Sequence, residues 1–166
     1  MLTPGSLASS VHGAPRTTQD LDFVIAVTPS DFDRLLSEFP PDKFYVSRDA
    51  ALQALRRSAM FNVVDLESGW KIDFIIRKAR EFSITEFNRR QRGDIMGVAV
   101  YMTTPEDSLL SKLEWAKRSE SDRQIDDATG IYRAKRDQLD MAYVDRWVEE
   151  LGLESQWSEA KSRTES

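Results

Sequence analysis

The apolar positions of this chain follow two different periods. Up to about residue 103 they come in short runs or alternate, and from Thr104 onward they recur at helical spacing through to Trp157. The run "DLDFVIAV" (20–27) is apolar and β-branched with acids only at its start, which predicts a strand. "TPSDFDRLLSEF" follows with a helix-start signal: Thr28 as cap, Pro29 at the first helical position and Asp31 in the first turn, with Pro40 and Pro41 closing the segment. "KFYVS" predicts a short strand and "RDAALQALRRS" a short helix. "MFNVVDL", the turn "ESG" and "WKIDFII" predict a β-hairpin. Residues 83–92 are expected to be helical and "GVAVYMT" to form a strand. "TPEDSLLSKLEWAKR" then repeats the Thr-Pro-x-Asp start and opens a helical third. The expected class is α+β: a mixed β-sheet flanked by helices (1–103), then a C-terminal helical bundle (104–166) packed on it, because no Gly/Ser-rich linker divides them. The terminal "KSRTES" is expected to fray.

Composition narrows the chemistry. A chain of 166 residues with 40% hydrophobic content is long enough to bury a core. It contains no cysteine, which excludes disulfides and thiolate metal sites, and its one histidine, His12, does not make a zinc site alone. There is no apolar stretch of membrane-spanning length and no secretory signal pattern, and the expected location is the cytoplasm. A formal net charge of −5 argues against a protein that coats nucleic acid non-specifically, but not against a local basic site. Residues 71–92 hold seven basic residues against three acids. They meet a polyanion or form a solvated basic face.

Asp20 and Asp22 stand two apart at the head of the first predicted strand, so they share a face while Leu21 and Phe23 point into a core. Like charges this close raise each other's pKa unless a cation lies between them, and oxygen ligands without Cys or His suit Mg²⁺ or Mn²⁺. Asp73, in "KIDFII", is a single acid among apolar residues on a second predicted strand. If the two strands are neighbours, three carboxylates converge, the ligand set of a two-metal phosphoryl-transfer site. The plain alternatives stay open: an Asx-turn at the strand start, or Asp73 paired with Lys71. Gly5-Ser6 sits ahead of a helix-like run, "LASSVHG", whose free N–H groups favour a phosphate, and thirteen residues separate Ser6 from Asp20.

Taken together, Gly5-Ser6, the spacer, Asp20-x-Asp22 and the later Asp73 resemble the nucleotidyltransferase superfamily with the DNA polymerase β-like fold. "HGAPRTTQD" resembles a segment of bacterial minimal nucleotidyltransferases, closest to those related to the abortive-infection toxins of toxin–antitoxin systems. "TPEDSLLSKLEWAKRSESDRQIDDATGIY" looks like the same branch, and the resemblance spans roughly residues 3–157. It implies that Gly5 and Ser6 hold a nucleoside triphosphate, and that Asp20, Asp22 and Asp73 bind two Mg²⁺ ions. Asp73 would also serve as base. Lys112 and Arg123 would lie near the phosphates, with Asp127 (or Asp126) orienting them, and Arg16 would contact the nucleotide or the acceptor. For Lys112 and Arg123 a solvated helix position is the competing expectation; His12 is expected to pack or hydrogen-bond. Only "MLTP" precedes Gly5, so the family's N-terminal helix and part of its first strand are expected to be missing, which raises the question of a second subunit covering the gap.

The function implied is Mg²⁺-dependent transfer of a nucleoside monophosphate to a hydroxyl of tRNA, a protein or a small molecule, as the toxin of a toxin–antitoxin pair, with an antitoxin or a second copy as partner. The rivals are a catalytically inactive interaction module of the same fold and a metal-dependent hydrolase or glycosyltransferase built on Asp-x-Asp alone. Trp115, Trp147 and Trp157 are expected to be core and lid.

Overall fold

The computed structural model describes residues 20–95 and 97–164, with the backbone alone at Asp20. The elements run β1 (Asp20–Ile25), α1 (Pro29–Ser37), β2 (Phe44–Tyr45), α2 (Arg48–Arg57), β3 (Met60–Asp65), β4 (Lys71–Ile76), α3 (Glu81–Arg89), β5 (Gln91–Ile95), β6 (Val98–Met102), α4 (Pro105–Ser119), α5 (Asp122–Lys135), α6 (Met141–Leu151) and α7 (Glu154–Ser162). The four-stranded sheet has the order β1-β4-β3-β2, with β1 parallel to β4 and the other pairs antiparallel. It is therefore mixed, and the expected α+β class holds.

Both Thr-Pro helix starts form as the sequence dictates. Thr28 accepts from the Asp31 N–H and Thr104 from the Asp107 N–H, each at 3.2 Å, with proline just inside the helix. The hairpin joining β3 to β4 closes over Asp65, whose carboxylate accepts from the Glu67 and Ser68 N–H groups.

Alternation along the strands separates two environments. Ile72, Phe74 and Ile76 of β4, with Phe23 and Ile25 of β1, pack with Phe32 and Leu36 of α1 and with Ala51 and Ala54 of α2. Phe74 stacks on Phe61 at 5.3 Å and on Phe23 at 5.9 Å. The intervening positions, Asp22, Val24, Asp73 and Ile75, face the opposite side. A second apolar cluster joins Leu109, Leu110 and Leu113 of α4 to Ile125 and Ala128 of α5, Trp147 of α6 and Trp157 of α7, and it takes in Phe82 of α3.

Two expectations need correcting. The helix expected over 83–92 spans Glu81–Arg89, and Gln91 and Arg92 belong to a strand, β5. Arg90 leaves helical geometry (φ −50°, ψ 138°), and its guanidinium lies over the rings of Phe87 and Tyr101. "QRGDI" has no apolar alternation, and only pairing with β6 makes it a strand. A Cβ at Gly93 would come within 2.3 Å of the Met102 terminal methyl carbon, so a larger residue there would make that flexible side chain move. The C-terminal residues through Thr164 are also tied down rather than frayed, because Arg163 pairs with Asp122, Asp126 and Glu159.

Candidate functional site

Between the acid-bearing face of the sheet and helices α3, α4 and α5 lies a cavity of about 370 Å³. Parallel pairing puts Asp22 and Asp73 side by side in one register row. Neighbours in a row of a parallel pair project to the same face, and both line this cavity. Asp73 is buried: its Oδ2 meets Lys71 Nζ at 3.0 Å, and its Oδ1 accepts no hydrogen bond among the described residues. The pairing with Lys71 left open by the sequence therefore exists, and it satisfies only one of the two oxygens. Asp20 stands in register with Lys71 on the same strand pair, but its side chain lies outside the described residues, as do Gly5, Ser6, His12 and Arg16. Among the described residues no group of three metal-ligating side chains forms.

The opposite wall is cationic. Arg77 and Lys78 follow β4, Arg80 caps α3, Lys112 and Arg118 sit on α4, and Arg123 opens α5. Lys112, for which a solvated position was the competing expectation, is buried, with Nζ 3.0 Å from Asp127 Oδ2. Asp127, not Asp126, is the acid that pairs with it. Asp126 faces outward and binds Arg163 at 2.7 Å. Arg123 lines the cavity and makes no ion pair among the described residues, and Arg77 and Lys78 likewise make none there. Burial, then the charges of Arg118 and Arg80, push the Lys78 ammonium below its usual range, against the pull of Glu114. The basic run of 71–92 is thus divided. Arg77, Lys78 and Arg80 face the cavity, whereas Arg89 is consumed by Glu106 and Asp107 at 3.3 and 3.2 Å and stacks over Tyr143.

Three buried polar atoms without a hydrogen-bond partner belong to residues lining this cavity: Asp73 Oδ1, Arg77 Nε and Gln124 Oε1. Buried polar groups are usually paired, and these three have no hydrogen-bond partner among the described residues. Sequence reading missed Gln124 and Glu86 as site residues, and reached Arg77 only as a member of the basic run 71–92. The buried Glu86 lines the cavity from α3 and accepts from Ser111 Oγ at 3.0 Å. Burial drives its carboxyl up to about 7; the Ser111 bond opposes this and the charge of Asp107 adds to it. Its signal in the sequence was weaker than that of Asp73: Thr85 precedes it and only Phe87 beside it is apolar. The expectation for the tryptophans holds for Trp147 and Trp157, which are core, but not for Trp115, which is 51% exposed and lines the cavity. No helix among the described residues is long and apolar enough to cross a membrane.

The carboxylate pair fits a divalent cation. It offers hard oxygen donors from two strands, and one of those oxygens is buried without any other partner. No protein-family model and no curated protein matches the chain. Among solved structures it is similar to an antigenic nucleotidyltransferase-like protein from Paracoccidioides brasiliensis, with 16% sequence identity and a TM-score of 0.54 over 96% of this chain and 83% of that one. A likeness of that kind concerns architecture: this chain has a nucleotidyltransferase-like α+β fold.

Proposed function

We propose that the chain is a metal-dependent nucleotidyltransferase that moves a nucleoside monophosphate from a nucleoside triphosphate to an acceptor hydroxyl. The observation that carries this reading is the Asp22–Asp73 row on adjacent parallel strands, facing a cationic wall across a cavity of about 370 Å³. Small-ligand sites commonly have volumes of about 300–1,000 Å³. The α/β portion (1–103) supplies the carboxylates, and the helical portion (104–166) supplies Lys112, Arg118, Arg123 and Asp127.

Asp22 and Asp73, with Asp20 ahead of them, are the residues that would hold Mg²⁺ or Mn²⁺. Such ions, when bound, neutralise charge on the attacking and leaving oxygens of an in-line displacement. Lys112 is held rigidly by Asp127 and keeps a fixed positive charge at the phosphate side. Arg123 makes no ion pair among the described residues, so its charge is available to the triphosphate. In the transfer, the acceptor oxygen bonds to the α-phosphorus, the bond from that phosphorus to the bridging oxygen breaks, and pyrophosphate departs. Asp73, whose Oδ1 accepts no hydrogen bond among the described residues, would also serve as the base that takes the acceptor proton. The sequence resemblance to abortive-infection toxins directs the acceptor search to tRNA ends and protein hydroxyls, and the partner search to an antitoxin.

Thermal unfolding with Mg²⁺ and each of the four NTPs, on the wild type and Asp22→Asn, tests the reading. Ligand at about 100 times its Kd stabilises the folded state by roughly 2.7 kcal/mol. A Mg²⁺-dependent shift abolished by Asp22→Asn, with pyrophosphate released once an acceptor is supplied, is expected. No shift with any NTP favours the inactive interaction module, and release of inorganic phosphate instead favours a hydrolase.

A further inference from the structure

Trp115 is the sole aromatic residue lining the cavity among the described residues. The two core tryptophans have ring partners: Trp147 meets Phe82 at 5.1 Å and Trp157 meets Tyr132 at 4.9 Å, and they are 2% and 3% exposed. Trp115, by contrast, has neither an aromatic nor a cationic partner for its ring among the described residues. A single exposed tryptophan is unremarkable on a surface. What distinguishes this one is its place on α4. Ser111, Trp115 and Arg118 form an i, i+4, i+7 stripe, and with Lys112 they all face the same charged cavity.

The platform is also held rigidly. The preceding residue, Glu114, takes both terminal nitrogens of Arg80 and is bonded by Arg118 at 2.9 Å, which pins this turn of α4 against the start of α3. A rigid aromatic face loses little entropy when a ring settles on it. Beside the Lys78, Lys112 and Arg123 charges, an open indole face has the chemistry to receive the other half of a nucleotide, its planar base.

We propose that Trp115 is the base-stacking residue of this site: the nucleobase of the bound nucleoside triphosphate lies against its indole ring while the phosphates lie against the cationic wall. This inference rests on the nucleotide-binding reading above and adds to it where the base goes.

The test compares wild type, Trp115→Ala and Trp115→Phe by calorimetric titration in Mg²⁺, using each of the four NTPs and inorganic tripolyphosphate as a base-free probe. Removing an aromatic stacking partner is expected to weaken NTP binding about tenfold, the scale of one lost base–aromatic contact. Tripolyphosphate binding is expected to stay unchanged, and Trp115→Phe is expected to recover most of the NTP affinity. NTP binding by the wild type that Trp115→Ala leaves intact, or an equal loss for tripolyphosphate, overturns the stacking role alone. Failure of the wild type to bind any NTP or tripolyphosphate overturns the nucleotide-binding reading and this inference with it.

Discussion

Glu86 sets up a pH-dependent cost that is readily measured. Its carboxyl is buried on α3 and lines the cavity, and burial raises it from 4.5 to about 7 against the pull of the Ser111 hydrogen bond. An acid whose folded value is raised binds its proton more tightly folded than unfolded. Between pH 4.5 and about 7 the folded state therefore holds more protons, stability falls as pH rises through that window, and the full cost is present above it. At about 1.4 kcal/mol per pH unit the cost is roughly 3 kcal/mol. Glu86→Gln keeps the shape and an oxygen that can accept from Ser111 Oγ, but does not ionise. Urea unfolding of both proteins at pH 5 and pH 8 isolates the one group, because every other titration is common to the two. Glu86→Gln should exceed the wild type by less than about 1 kcal/mol near pH 5 and by about 3 kcal/mol at pH 8. The same difference at both pH values, or a wild type that is the more stable at pH 8, would refute the argument that burial dominates at this carboxyl.

Two further substitutions probe the ion pairs around the cavity. Lys112→Met leaves Asp127 buried without its cation and should cost about 3–5 kcal/mol in denaturant unfolding, while Lys112→Met combined with Asp127→Leu should recover much of the loss. Arg80→Met removes the bidentate partner of Glu114. Burial alone would push that carboxyl up, but the Arg80 pairing carries it below its usual 4.5. A lowered acid stabilises above its unfolded value and stops doing so as pH falls through the folded one. Arg80→Met should therefore cost roughly 1–3 kcal/mol near neutrality, with the gap to wild type closing in thermal unfolding below about pH 4.

Much of the fold was legible locally. The Thr-Pro-x-Asp starts at Thr28 and Thr104, the Asp65 turn and the alternation in "KIDFII" each carry their instruction within a few residues. For that reason Asp73 could be singled out as a lone acid on an apolar strand. Strand β5 was not legible, because "QRGDI" acquires its conformation from pairing with β6.

The sequence by itself determined most element types, β5 excepted, the alternation that sends Asp22 and Asp73 away from the phenylalanine core, and the presence of an acid–base inventory without cysteine. Local propensity and side-chain period suffice for these. Only the tertiary structure decided that β1 lies parallel beside β4 with Asp22 opposite Asp73, that Lys112 takes Asp127 and leaves Asp126 to Arg163, and that Trp115 opens onto the cavity while Trp147 and Trp157 close the helical core. Those outcomes depend on which faces of distant segments meet. One helical turn carries Lys112, Glu114 and Trp115 alike, and the sheet packed opposite settles which becomes buried cation, which becomes anchor and which stays exposed.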